Sequence, residues 1–446
     1  MNVLLATFKK HIDTQFPFIK GKKILVALSG GIDSVILTQL LIELKFDICL
    51  AHCNFNLRGT ASDADEQFVN ELGKQLNAVV FTTSFDTKKY AVANQLSIQM
   101  AARDLRYNWF HKIREENKLD FIATAHHLDD NLETFLINFT RGTGLNGLTG
   151  IPPVNKSIIR PLLPFSRDEI KAYALQNKHV WREDKSNDDT YYTRNKIRHQ
   201  IIPLLKELNP NMLASFKKTT THLNDSQNII NETIKSLRKK VVISENKGLY
   251  KISIEKLNEY PKATIYLFEL LKTYGFTEWN DVENLLEAQS GKQLFSKTHR
   301  LIKDRNYLLL SELQANAHSS LAYEINESDT AIDLTDFKIE IENCTPATLA
   351  ENDPKNTIYL DKEKLKFPLI LRKWESGDYF YPLGMNGKKK ISKYFKDEKY
   401  SLIEKENTWL LCSDGKIIWV VNKRQDARFS TTSTTKKILA INLIIP

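Results

Sequence analysis

Residues 22–44 read KKILVALSGGIDSVILTQLLIEL. An apolar run from Ile24 to Leu28 stops at Ser29-Gly30-Gly31-Ile32-Asp33-Ser34, and a second run opens at Val35. Ile36, Leu37, Leu40, Leu41 and Leu44 then recur at helical spacing, so the stretch predicts a buried strand, a tight glycine turn and a helix. A helix start presents unpaired N–H groups and partial positive charge, and the glycines let an anion approach the backbone. Ser29 and Ser34 add hydroxyls, and Asp33 is placed to hold magnesium against phosphate oxygens. A glycine pair alone is often only a packing turn. Two serines and an aspartate within the same six residues point to phosphate binding.

Working outward, short apolar runs alternate with helical patterns over the first ~150 residues, which predicts a doubly wound parallel α/β sheet. Strands are expected at Phe46–Phe55, Ala78–Phe85 and Leu119–Thr124. Helices are expected at Ser62–Asn77, Gln99–Asn117 and Asp129–Phe139, with a glycine-rich loop from Arg141 to Gly150. Ligands of such sheets gather at the carboxyl ends of the strands, where Ser29, His52 and His126 fall.

Composition narrows the function classes. The 446 residues are 42% hydrophobic and 26% charged, enough for two to four soluble domains. No apolar run approaches the ~20 residues of a bilayer span, and MNVLLATFKKHIDTQ lacks the pattern of a signal peptide. No membrane is expected, and the expected compartment is the cytoplasm. Cys49, Cys53, Cys344 and Cys412 form neither a disulfide framework nor a CxxC pair. Net charge is +9, and 156–206 and 361–400 each carry +5, so the rest of the chain is nearly neutral. Two separated basic segments on a neutral chain fit a polyanion touched twice, most simply nucleic acid.

Three clusters accompany the loop. His52-Cys53-Asn54-Phe55-Asn56-Leu57-Arg58-Gly59 follows the second strand. Arg103 and Arg106, three residues apart, share a helix face with Tyr107, an arrangement that by itself fits a solvated face. Ala125-His126-His127-Leu128-Asp129-Asp130-Asn131-Leu132-Glu133 places Asp130 and Glu133 one turn apart with His126 just ahead. A histidine, two carboxylates and a helix N-terminus offer general-base and magnesium-ligand chemistry together. Simple helix capping needs one acid rather than this set. Farther on, Arg194 and Arg198 lie one turn apart beside Tyr191, Tyr192 and Lys196, a strip suited to phosphate contact and base stacking, or to an ordinary helix end.

SGGIDS resembles the SGGxDS loop of the PP-loop ATP pyrophosphatases, which cleave ATP between its α- and β-phosphates and adenylate a substrate. With HCNFNLRG, AARDLRY, AHHLDDNLETFL, RGTGLNGLTGI, RPLL and DKSNDDTYYTRNKIRH in order, and LRKWESGDYFYPLGMNGKKKISKYFKDEKY at 371–400, the chain resembles the tRNA-isoleucine lysidine synthetases. The resemblance implies ATP and Mg2+ as cofactors, and isoleucine tRNA with a CAU anticodon and free L-lysine as partners. It also leaves a homodimer open. It implies that Ser29, Gly30, Gly31, Ile32, Asp33 and Ser34 bind ATP, with Asp33 also on the metal. Asp33, Arg106, His126, Asp130 and Glu133 would be catalytic, with Arg106 and Arg194 stabilising phosphate charge. Arg194, Arg198, Arg372, Lys388, Lys389, Lys390 and Lys393 would grip the tRNA. The family's C-terminal motif is richer in arginine than Lys373-Trp374-Glu375, which bears on individual tRNA contacts.

The implied organisation is a catalytic PP-loop domain at 1–210, a mostly helical middle domain at 211–313, a linker region at 314–355 and a small α+β tRNA-binding domain at 356–446. Within these, Lys303–Asn306 reads as a hairpin turn and Lys389–Lys399 as a helix with Ile391, Tyr394 and Phe395 on one face. Three rival readings stand beside this one. A tRNA thiolation enzyme of the same superfamily needs cysteines at CxxC spacing. A non-catalytic nucleotide-sensing RNA-binding protein has no need of Asp130 and Glu133. An enzyme amidating a small metabolite leaves the basic segments without a role.

Overall fold

The computed structural model describes residues 3–182, 193–246, 248–313, 322–334, 337–344 and 356–445. The polar stretch 183–192, with Tyr191 and Tyr192, lies outside them. The chain forms two compact units, Met1–Glu232 and Thr233–Pro446.

In the first unit α1 (Val3–Gln15) precedes β1 (Lys23–Ala27), α2 (Ile32–Glu43), β2 (Asp47–Asn54), α3 (Thr60–Gln75) and β3 (Val79–Ser84). Next come α4 (Thr87–Ala93), α5 (Ile98–Glu116), β4 (Phe121–Ala123), α6 (Leu128–Thr140) and α7 (Leu145–Leu148), the last a single turn inside the glycine-rich loop. β5 (Val154–Asn155), β6 (Ile158–Ile159) and α8 (Arg167–Gln176) complete the layered part. The sheet order is β3-β2-β1-β4-β6-β5, parallel except for β5.

β1 shows why both faces carry helices. Ile24 and Val26 point into a core with Phe8, Ile12, Leu37, Leu41 and Ile170, whereas Leu25 joins Phe110, Ala51 and Ile122 on the other face. A strand buried on both sides reads as a continuous apolar run, which is what 24–28 shows. Exchanging Leu37 for alanine there would cost about 2–5 kcal/mol. Strands β2 and β3 extend from one side of β1, and β4 lies on its other side. The strand order therefore reverses between the parallel neighbours β1 and β4, and the loops at their carboxyl ends open a crevice.

After 183–192 the chain continues through α9 (Thr193–Lys196), a π-helical turn at Ile197–Ile201, α10 (Ile202–Leu208) and α11 (Met212–Val241). Ile197 and Ile202 pack on Leu128 and Leu132, which ties this segment to α6.

The second unit holds the expected middle helices, α12 (Ile254–Asn258), α13 (Ala263–Leu271) and α14 (Trp279–Asn284), together with a five-stranded antiparallel sheet. Only the hairpin of that sheet is legible in the sequence: His299–Asp304 pairs with Tyr307–Glu312 around the expected turn. Beyond it, two antiparallel sheets of five and four strands enclose Leu371, Leu411 and Trp419 against Ile339, Leu360 and Ile441. The stretch expected as a linker departs from that reading. Tyr323–Ile325 pairs with Leu369–Lys373, and Lys338–Cys344 pairs with Ile438–Ile444, so its short acidic strands belong to these sheets. The expected helix at 389–399 starts two residues later, at Ile391–Asp397, because Lys389–Lys390 pairs with Tyr379–Phe380. Ile391, Tyr394 and Phe395 form its buried face. Among the described residues no helix is long and apolar enough to cross a membrane.

Candidate active site

The Ser29–Ser34 loop leaves β1 and becomes the first turn of α2. Gly30 has φ +89°, in the left-handed region that favours glycine. Ser34 Oγ donates to the Gly31 carbonyl at 2.9 Å and sits 3.1 Å from Ser29 Oγ, while the Ser29 N–H donates to it at 3.2 Å. The loop is braced from outside as well. The Arg182 N–H donates to the Gly30 carbonyl at 2.9 Å, and Arg182 Nε donates to Asp65 Oδ1 at 2.7 Å. The result is a turn braced from within by Ser29 and Ser34 and from outside by Arg182.

Asp33, in that first turn, meets the start of α6. His127 Nε2 lies 3.7 Å from Asp33 Oδ2 and 3.4 Å from Asp130 Oδ2, and His127 Nδ1 lies 3.6 Å from Asp129 Oδ2. One turn on, Glu133 is fully buried and accepts from Arg194 Nε at 2.6 Å and Arg198 Nε at 2.5 Å. Both arginines also reach Asp130 Oδ1 at 3.3 Å. Asp33, Asp130, Glu133, Arg194 and Arg198 are thus brought into one network.

The charge states follow from the packing. Burial pushes the Asp33 carboxyl upward, only partly offset by His127 and Arg167. Burial acts against the charged form of His127 too, but Asp130, Asp129 and Asp33 outweigh it and raise its pKa. Asp130 and Asp129 are lowered despite their burial by His127 and neighbouring cations, Asp129 to about 2. A buried imidazole among three carboxyl groups is held toward its charged form. Asp33 Oδ1 is buried without a hydrogen-bond partner among the described residues. An orphaned hard oxygen beside a glycine turn at a helix start fits magnesium, which takes one or two carboxylates and leaves its other positions to phosphate and water.

Among the described residues His126 and Arg106 make no hydrogen bond or ion pair with this network. His126 Nδ1 lies 2.9 Å from Thr124 Oγ1, and burial lowers its pKa to about 4, so the ring is neutral at neutral pH. Arg106, exposed on α5, lays its guanidinium over Phe55, 5.1 Å from the ring centroid. His52, also singled out by sequence, is buried with Nδ1 2.9 Å from the Leu28 carbonyl. His127, 2% exposed, is the group that sequence reasoning passes over. Its signal is its place as the residue before α6, where its N–H bonds Asp130 Oδ2 at 3.1 Å.

In the second unit Lys388, Lys390 and Lys393 are exposed, and Lys389 pairs with Asp397 at 2.9 Å. Lys388 lies over the Tyr379 ring, 5.2 Å from its centroid. These residues line a cavity of about 530 Å³ with Tyr379 and Met385. Arg372 differs from them: both Nη atoms donate to Asp378 at 2.8 Å, and this pairing raises its pKa. Its fork is occupied within the domain.

Comparison with known proteins finds relatives that match this chain over nearly its whole length. A PP-loop domain model matches residues 4–205, a TilS substrate binding domain 245–313 and a TilS substrate C-terminal domain 369–442. The tRNA(Ile)-lysidine synthase of Parabacteroides distasonis is 41% identical over 445 residues, covering 99% of this chain and all of that one. That of Bacteroides thetaiotaomicron is 41% identical over 98% of each chain, and that of Porphyromonas gingivalis strain W83 is 37% identical over 91% of each. These matches span all three segments, and the chain belongs to the tRNA(Ile)-lysidine synthase family.

Proposed function

We propose that the protein ligates free lysine to carbon 2 of the wobble cytidine of isoleucine tRNA with a CAU anticodon, in two steps, at the crevice between β1 and β4. In the first step the carbonyl oxygen on carbon 2 attacks the α-phosphorus of ATP, the α–β phosphate bond breaks and pyrophosphate leaves. In the second, the lysine side-chain nitrogen attacks carbon 2, the carbon–oxygen bond breaks and AMP leaves, while the amine gives up a proton. A carbonyl oxygen is a poor leaving group and a phosphorylated one is good, which is why the chemistry needs ATP.

Ser29 to Ser34 would cradle the departing phosphates through backbone N–H groups and hydroxyls. Asp33 would hold Mg2+, which supplies charge neutralisation on the phosphates when bound. Arg106 would stabilise phosphate charge at the crevice. Asp130 and Glu133 would position the incoming amine, with Arg194 and Arg198 as their present counterions, and neutral His126 would accept its proton. The exposed Lys388, Lys390 and Lys393 would meet tRNA phosphates with Lys389 beside them, and Arg372 would shape that surface through Asp378. In this division 1–210 catalyses, and 356–446 grips the tRNA in the cytoplasm.

The observation that carries the reading is the bridge Asp33–His127–Asp130, which sets an ATP-type loop against an amine-type acidic pocket. The thiolation alternative is disfavoured by the thiols themselves. Burial pushes Cys53 up to about 12 and Cys412 up to about 11, far from nucleophilic thiolates. The test is incubation with ATP, magnesium, labelled lysine and isoleucine tRNA bearing CAU. Label is expected in the tRNA with one AMP per lysine; AMP formed with another acceptor and no label in this tRNA would overturn the substrate assignment.

A further inference from the structure

Gly30 and Gly31 share a peptide that could turn over at little steric cost, because neither residue carries a Cβ. Its orientation matters to an anion. Across a planar trans peptide the carbonyl and the following N–H point opposite ways. The Gly31 N–H is directed at Ser29 Oγ, 3.4 Å away, on the side where the Ser29 and Ser34 hydroxyls meet. The Gly30 carbonyl points the other way and accepts from the Arg182 N–H at 2.9 Å. Turned over, the same peptide would set a carbonyl oxygen among the hydroxyls and repel a phosphate.

Arg182 is itself held in place. Trp181 before it packs on the core around β1, and Arg182 Nε donates to Asp65 Oδ1 at 2.7 Å. Asp65 is 7% exposed, and its other oxygen accepts from Arg58 Nη2 at 2.8 Å. A nearly buried carboxylate shared by two guanidiniums makes a short charge-assisted bond through each oxygen, which fixes its direction. Asp65 lies on α3 one turn before Phe68 and Val69, on the same helix face. A Cβ placed on Gly30 would lie 3.5 Å from Phe68 Cδ1, 3.8 Å from Val69 Cγ2 and 3.9 Å from Arg182 Cγ. One face of α3 thus reaches Gly30 directly through two apolar side chains and indirectly through Asp65 and Arg182.

We propose that Asp65, acting through Arg182, is a positioning residue that fixes the Gly30–Gly31 peptide with its N–H toward the phosphates of ATP. This rests on the function proposed above, in which Ser29–Ser34 is the ATP-binding loop. The pair touches no reacting atom. It keeps one backbone donor aimed before the nucleotide arrives, so that binding does not have to select one of two peptide orientations.

The test measures the dissociation constant of ATP with magnesium on the full chain, beside the KM values for lysine and tRNA. Arg182→Met keeps the stem beside Gly30 and removes the bond to Asp65. ATP affinity should then fall about 10-fold, the low end for one charge-assisted hydrogen bond, with KM for lysine and tRNA unchanged. Asp65→Asn should weaken ATP binding by a similar factor. The double variant should be no weaker than either single one, because the two residues act in series. Arg182→Lys keeps a cation on Asp65 and should recover most of the loss. Unchanged ATP affinity in Arg182→Met, with urea unfolding reporting an intact fold, overturns the proposal. So do additive losses in the double variant, or equal losses for ATP, lysine and tRNA, which would make the cluster a general brace. Should the wild-type protein bind no ATP, the phosphate-loop reading fails and the positioning role falls with it.

Discussion

The start of α6 and the segment 372–393 are both rich in charge, and they hold it in opposite ways. Around α6, Asp33, Asp129, Asp130 and Glu133 are enclosed and balanced by His127, Arg194, Arg198 and Lys206. On 372–393, Arg372 is closed on Asp378, while Lys388, Lys390 and Lys393 project into solvent. Enclosed, cross-paired charge is fixed in position and can be aimed at a reacting atom. Exposed lysine on flexible stems releases counterions from a polyanion and tolerates many geometries. The first arrangement suits bond-making and the second suits holding, within one chain.

If the contrast is right, changes at the enclosed network should strike turnover and stability, and changes at the lysines should strike affinity alone. The largest effect is expected at Asp33. Asp33→Ala removes the carboxylate whose Oδ1 is unpartnered, and turnover should fall by about 10³-fold, the scale of losing one transition-state electrostatic group. Release of AMP and pyrophosphate measures it, and a variant with full activity would sink the phosphate-loop assignment. Glu133→Gln comes next. It leaves Arg194 and Arg198 facing a neutral amide, and unfolding free energy by urea titration should drop by about 3 kcal/mol. Adding Arg198→Met should recover part of that stability but none of the activity; recovery of both would mean that the network is structural only.

Replacing Lys388, Lys390 and Lys393 together by glutamine tests the other side of the contrast. Affinity for tRNA should weaken at low salt, and the slope of log K against log salt should shrink by about one for each phosphate no longer neutralised. A turnover defect that persists at saturating tRNA would contradict the division.

The sequence reveals the loop because its determinants are local: strand period, glycine turn and helix period lie within 23 residues. The same holds for Asp130 and Glu133, which helical spacing alone puts on one face. It cannot show that Arg194 and Arg198 close on Glu133, because that pairing joins residues 61 and 65 positions apart. Nor can it choose between His126 and His127. Adjacent residues leaving a strand point opposite ways, so one ring meets Thr124 and the other Asp33. In the second unit, the partner of Arg372 and the strands within 323–344 depend on sheet pairing between distant segments, which short acidic strands do not advertise.

The smallest effect sharpens the comparison through pH. Asp129 is partly buried, and burial alone would raise its pKa. His127, whose Nδ1 lies 3.6 Å away, the Arg167 N–H at 2.9 Å and Lys206 outweigh burial and bring it to about 2. A carboxyl whose pKa is lower in the folded chain contributes stability above the ordinary carboxylate range, and this is lost as pH falls from about 4 through about 2. Asp129→Asn should therefore cost about 2 kcal/mol at pH 7 and progressively less toward pH 2. Asp414, equally acidic by sequence but exposed beside Lys366, should give a far smaller penalty when changed to Asn, because solvent screens its pair. Urea titrations of both variants at pH 7 and pH 3 measure the difference. Equal, pH-independent costs would show that enclosure does not set the strength of these pairs, and the contrast between the two regions would lose its physical basis.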